Sequence, residues 1–152
     1  MTDASADFPK PVVRFYVLAQ ADEQARLLLA CQLCDKAHAA KQKSAVLCAD
    51  ENMRAALDDL LWTFRATSFI PHALPDSDDA AHAAVLLLVP PERASNVDVL
   101  INLSLQSHPD IPRACQRVFE IVMPRHDILD STRTRFARYR ERGLTPQTHK
   151  LA

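Results

Sequence analysis

Two short runs, Ser44 to Ala49 (SAVLCA) and Ala84 to Val89 (AVLLLV), are apolar almost without a break. A strand with one face in water alternates apolar and polar residues, so runs this continuous predict strands covered on both faces, the habit of a parallel sheet between helices. The segments around them alternate accordingly. Val12 to Leu18 (VVRFYVL) is β-branched and aromatic and predicts a first strand. From Asp22 to about Lys41 the apolar positions Ala25, Leu28, Leu29, Leu33 and Ala37 recur at helical spacing, with Asp22 placed to cap. Asp50 then opens a second helix, Glu51 to Trp62. Val97 to Leu103 (VDVLINL) and Arg117 to Val122 (RVFEIV) predict two more strands, and Asp127 to Arg142 a helix stopped at Gly143. The order implies one α/β domain, three layers deep (α/β/α), with a mostly parallel sheet. Residues 64–84 read as a long surface connection, and about 1–11 and 145–152 as flexible ends.

The single glycine of this 152-residue chain, Gly143, removes whole classes of function. Phosphate cradles of the G-x-G-x-x-G or G-x-x-x-x-G-K-[ST] type need glycines where backbone amides close on the anion, and a G-x-S-x-G nucleophile elbow needs two. A nucleotide-handling α/β enzyme would have to use unfamiliar motifs. No catalytic set stands out, and neither cofactor nor metal is expected. Cys31, Cys34 and His38 have spacing for one helical face, which is the ground for a zinc or redox alternative. Cys31 nevertheless sits about nine residues into its helix, away from the N-terminus that lowers a thiol pKa, so core filling is the expectation. No disulfides are expected, and with no apolar run near about 20 residues and no basic, apolar leader, a cytoplasmic protein without a membrane span is.

Charge is unevenly placed. The chain's net formal charge is −1, which predicts no general affinity for nucleic acid. Seven acids face two bases between residues 50 and 79, whereas seven bases face three acids between 125 and 150. Two stretches rise above this background. Leu57 to His72 (LDDLLWTFRATSFIPH) brings Trp62, Phe64, Phe69 and Ile70 together beside acids, which fits a packed corner and a partner surface equally well. Arg133 to Gly143 (RTRFARYRERG) is either a solvated basic helix end or, with Arg133 one turn from Phe136, an acceptor for a carboxylate carrying an apolar side chain.

At these stretches the sequence resembles the DNA polymerase III chi family. The matching words are FYVL at 15–18, LDDLLWTFRATSFIPH at 57–72, VDVLINL at 97–103, RVFEIV at 117–122 and the closing RTRFARYRERG, spread in order from about residue 13 to 144. The resemblance implies a Rossmann-like fold without a nucleotide site and a non-enzymatic subunit of the DNA polymerase III holoenzyme. It implies two partners: the psi subunit of the clamp loader, and the acidic, phenylalanine-ended C-terminal tail of single-stranded DNA-binding protein. DNA is then met only indirectly, and in some members a repair helicase is served too. By position, psi-facing residues would be Trp62 and Phe69 with Ile70 alongside. The tail would meet Arg133 and Phe136, with Arg135, Tyr139 and Met123 nearby. Better-known members have a tyrosine where this chain has Phe136, and a lysine upstream of the arginine that has no clear equivalent around Ile128 to Asp130.

Overall fold

The computed structural model describes residues 10–63, 72–73, 83–93, 96–106 and 111–151. The elements follow in the order β1 (Val12–Val17), α1 (Glu23–Ala39), β2 (Ser44–Leu47), α2 (Glu51–Thr63), β3 (His72–Ala73), β4 (Val85–Leu88), β5 (Val99–Asn102), β6 (Arg117–Val122), α3 (His126–Glu141) and β7 (Gln147–Lys150). Among the described residues the strands form one sheet in the order β3-β4-β2-β5-β6-β1-β7, parallel at every pairing. Every residue of β2, β4 and β5 is buried, as the unbroken apolar runs require.

Alternate strand residues feed two cores. Val46, Leu87, Ile101 and Ile121 face Leu27, Ala30, Cys31 and Cys34 of α1 and Leu57 and Leu61 of α2. Their neighbours Leu47, Leu88, Leu100, Val118 and Val122 face the other way, with Phe15, towards Ile128 and Tyr139 of α3. Two helices on one face and one on the other make the three expected layers.

Local chemistry sets the helix ends. The Asp22 side chain accepts a hydrogen bond from the Ala25 amide at 3.1 Å, and Asp50 accepts from the Met53 amide at 2.8 Å, each satisfying an otherwise orphaned N–H. At the end of α3, Gly143 takes φ +81°, and the Gly143 and Leu144 amides bond back to the Arg140 and Tyr139 carbonyls. Buried Leu144 then turns the chain towards β7.

Two expectations change. The 64–84 connection contains a short strand, β3, paired with β4; its remaining residues up to 82 lie outside those described. The stretch 145–152, read as a flexible end, contains β7, which pairs with β1 from Gln147 opposite Arg14 to Lys150 opposite Val17. All four β7 residues are exposed, so no apolar pattern marks the strand. Its backbone hydrogen bonds hold it, and its polar side chains suit a sheet edge.

All four cysteines are free and buried. Burial pushes the Cys31 and Cys48 thiols up to about 12 and the Cys115 thiol up to about 11, and raises Cys34 as well. His38 is exposed while Cys34 is fully enclosed, so the C-x-x-C-x-x-x-H spacing does not converge on one site, and the thiols fill the core. The native protein at pH 8 is therefore expected to react with none of its thiols on the timescale in which the guanidinium-unfolded chain reacts with four equivalents of a thiol reagent. Cys34→Ser, which places a hydroxyl in that apolar layer, should lower stability by about 1–3 kcal/mol in chemical denaturation; rapid labelling of folded wild type would contradict this packing.

Candidate functional site

The α3 side of the sheet carries an unusual row. Leu47, Asn102, Glu120, Phe15 and Thr148 stand in register on five neighbouring strands, so a carboxamide and a carboxylate occupy its middle. Glu120 is 0% exposed. A buried carboxylate is tolerated only when its oxygens are matched, and here both are. Arg135 Nε donates to Oε1 at 2.9 Å, while Oε2 accepts from the Tyr139 hydroxyl at 2.5 Å and from Asn102 Nδ2 at 2.9 Å. The Tyr139 distance is that of a charge-assisted hydrogen bond. Asn102 Oδ1 in turn accepts from the Ser104 amide and hydroxyl. Arg135 completes its fork on the Gln106 carbonyl at 3.1 Å and the Thr132 hydroxyl at 3.3 Å. Burial raises the Tyr139 pKa, and the Glu120 charge raises it further, so the phenol stays protonated and remains the donor.

Arg135 and Tyr139 are four residues apart, one above the other on α3, and both land on Glu120. That fixes the helix about its own axis. Phe136 is half-buried and packs on Phe15 with ring centroids 5.3 Å apart, while Phe15 also meets Tyr139 edge-on at 5.9 Å. Arg133, with 77% of its side chain exposed, points away from the sheet and has only a 3.5 Å contact with Asp130, also exposed. Arg140 and Arg142 are exposed as well, and Arg138 lies 3.5 Å from Glu141. Such exposed pairs hold their cations weakly. The outer side of α3 therefore offers a partly exposed ring and several weakly paired guanidinium groups.

The five residues expected around one pocket thus divide. Arg133 and Phe136 share the outer side. Arg135 at 1% exposed, Tyr139 and Met123, expected near the tail, are interior, and the Arg135 guanidinium is engaged by Glu120. Two contributors escaped the sequence reading. Phe15 looked like an ordinary strand residue, although it is the floor beneath Phe136. Glu120 carried a usable signal, as the lone acid in the apolar run VFEIV, which obliges a buried cation or donors to face it.

The second stretch is only partly described. Trp62, in the last turn of α2, is 57% exposed, which is high for an indole. Phe69 and Ile70 lie outside the described residues.

Open α/β sheets usually take ligands at the carboxyl ends of their strands; here a cavity of about 230 Å³ opens beyond Leu47 and Leu88, the last residues of β2 and β4, while a side chain of α1 occupies the space beyond β5 and β6. Arg26 of α1, 1% exposed, donates from Nε to the Ile121 carbonyl at 3.0 Å and from Nη2 to the Leu103 carbonyl at 3.3 Å. No helix among the described residues is long and apolar enough to cross a membrane.

Known proteins give the arrangement its context. The family described as DNA polymerase III chi subunit, HolC, matches residues 11–147. Over 139 residues the chain is 41% identical to the DNA polymerase III subunit chi of Pseudomonas aeruginosa, which spans 91% of this chain and 96% of that one. Over 121 residues it is 29% identical to the DNA polymerase III subunit chi of Escherichia coli K12, 79% and 82% of the two chains. Among solved structures, S. cerevisiae Dbp5 bound to RNA and ADP BeF3 superposes with a TM-score of 0.65 at 9% identity. It covers 99% of this chain, which spans under half (44%) of that one, and the likeness is one of fold alone.

Adjacent arginines on α3 are expected to behave oppositely on mutation. Arg135→Ala strands a buried carboxylate and should cost about 3–5 kcal/mol in urea denaturation. Arg133→Ala, at an exposed position, should leave the midpoint within error of wild type. Equal effects would contradict the division of α3 into a buried and a presented side.

Proposed function

The chain belongs to the DNA polymerase III chi subunit family, and from that premise we propose that it is a non-catalytic adaptor of the holoenzyme, joining the clamp loader, through psi, to the C-terminal tail of single-stranded DNA-binding protein. The observation that carries the tail contact is the outer side of α3. An acidic peptide ending in phenylalanine needs a cation for its terminal carboxylate and an apolar surface for its ring. Arg133 and Phe136, one turn apart, supply both.

The division of labour differs from a simple five-residue pocket. Arg133 takes the carboxylate with its planar fork, and Phe136, backed by Phe15, receives the ring. Arg135, Tyr139 and Met123 act from beneath by fixing the helix. Upstream aspartates of the tail meet Arg138, which is partly exposed, and the exposed Arg140 and Arg142 through longer-range attraction. Because the upstream lysine has no clear equivalent around Ile128 to Asp130, these arginines are the available source of extra charge.

Psi is assigned to the other end of the molecule, at the exposed indole of Trp62 with Phe69 and Ile70 in the segment that follows. Large aromatics close together in sequence suit the centre of a protein interface, and the acids of the same stretch would meet bases on the partner. Trp62→Ala should weaken psi roughly thirtyfold, about 2 kcal/mol, without unfolding the domain. Unchanged affinity for psi by calorimetry would remove Trp62 from that interface.

For the tail, fluorescence anisotropy of a labelled acidic peptide ending in phenylalanine should show Arg133→Ala weakened roughly thirtyfold, a loss of about 2 kcal/mol for a charge-assisted contact. Arg133→Lys should recover only part, keeping the charge but not the fork. The contribution of the remaining arginines should fade as salt rises from about 0.05 to 0.3 M, since a Debye length near 10 Å or less screens them. Full affinity in both Arg133→Ala and Phe136→Ala would sink the assignment.

A further inference from the structure

On the face opposite α3, a cleft of about 110 Å³ lies between the last turns of α1 and the amino-terminal ends of β1, β5 and β6. It is lined by Arg14 and Tyr16 of β1, Arg117 and Phe119 of β6, Lys36 of α1 and Gln42 just beyond, together with apolar α1 residues. Three cations thus share one small space, and no carboxylate lines it. Among the described residues none of the three forms an ion pair. Arg14 Nε is removed from solvent without an acceptor, and Arg14 Nη1 has only the Tyr16 hydroxyl at 3.5 Å.

The fold does not explain this cluster by its own needs. Cations are favoured near a helix C-terminus when its last carbonyls are open. Here the Lys36, Ala37 and His38 carbonyls are already taken by the amides of Ala40, Lys41 and Gln42. Asp98, the acid at the entry to β5, has its carboxylate on the Lys43 amide at 2.9 Å. Like charges gathered without a counter-charge repel, so the cluster costs stability until an anion joins it.

We propose that this cleft is a phosphoryl-anion site, in which Arg14, Lys36 and Arg117 surround a phosphate group and Gln42 adds a neutral donor. A single carboxylate would leave most of the positive charge unbalanced. A phosphate monoester carries about −1.5 to −2 at neutral pH and presents three acceptor oxygens, which matches three cationic donors. Guanidinium groups are suited to that geometry. The same chemistry comes from two sources, free inorganic phosphate or the terminal phosphate monoester of an oligonucleotide, and neither uses a glycine-rich loop or the carboxyl ends of the strands.

The test uses the full chain at fixed ionic strength. Calorimetric titration with inorganic phosphate, and separately with a short oligothymidylate carrying a 5′-phosphate, should show saturable binding of one or both, the responding ligand identifying the source, and the same oligothymidylate without its 5′-phosphate should not bind. Arg14→Gln and Arg117→Gln should each weaken that binding at least about tenfold. Without ligand, both variants should melt at or above the wild-type temperature, because each removes repulsion. With ligand, the rise in melting temperature seen for wild type should shrink or vanish. Variants that melt lower than wild type without ligand would instead mark the arginines as structural and overturn the site. So would the absence of saturable binding of either probe, or binding unchanged in both variants.

Discussion

Glu120 places a carboxylate at the centre of a parallel sheet, fully enclosed, and the α3 half of the molecule is arranged to satisfy it. A buried ion pair does not by itself raise stability, because the cost of removing two charges from water offsets their attraction. Its effect is specificity. Arg135 and Tyr139 reach Glu120 together only at one rotation and one height of α3, and Asn102 holds the carboxylate from the next strand. A helix docked by apolar contacts alone could slide or roll at little cost. One docked through a three-donor carboxylate has no comparable alternative.

That constraint links the interior to the surface. With positions 135 and 139 turned inward, position 133 faces outward and position 136 lies at the margin, half against Phe15 and half open. A flexible acidic tail loses conformational freedom when it binds, so a preformed receptor limits the total ordering cost. Among the described residues α2 packs on the face of the sheet opposite the one that carries α3. A helix held in one orientation suits the adaptor role proposed above.

Much of this was legible in the sequence because burial on both faces leaves a direct mark. SAVLCA and AVLLLV could hardly be anything but interior strands, and Asp22 and Asp50 announced the helices they cap. Elements held by backbone alone left no such mark, which is why β7, with Gln147, Thr148, His149 and Lys150 all exposed, was read as an end. At the candidate site, Arg133 and Phe136 were legible as a cation and a ring one turn apart. For Arg135 the sequence shows a charge but not its direction. Only its i, i+4 relation to Tyr139, set beside the solitary Glu120 in VFEIV, contained the information that it turns inward. The cationic cleft under α1 was illegible for a different reason: Arg14, Lys36 and Arg117 are far apart in the chain and meet only through the β1–β6 pairing and the return of α1 over it.

The central claim is that α3 presents Arg133 and Phe136 from a helix whose inner side stays locked when a partner binds. Nuclear magnetic resonance of the ¹⁵N-labelled chain, titrated with an acidic peptide ending in phenylalanine, tests it directly. The largest shifts should fall on the amides of residues 133, 136, 137 and 140 and on the Arg133 Nε–H, while the Arg135 Nε–H, bonded to Glu120, keeps its position and its protection from exchange. Shifts that bypass α3, or an Arg135 Nε–H that moves and becomes exchangeable as the peptide binds, would contradict it.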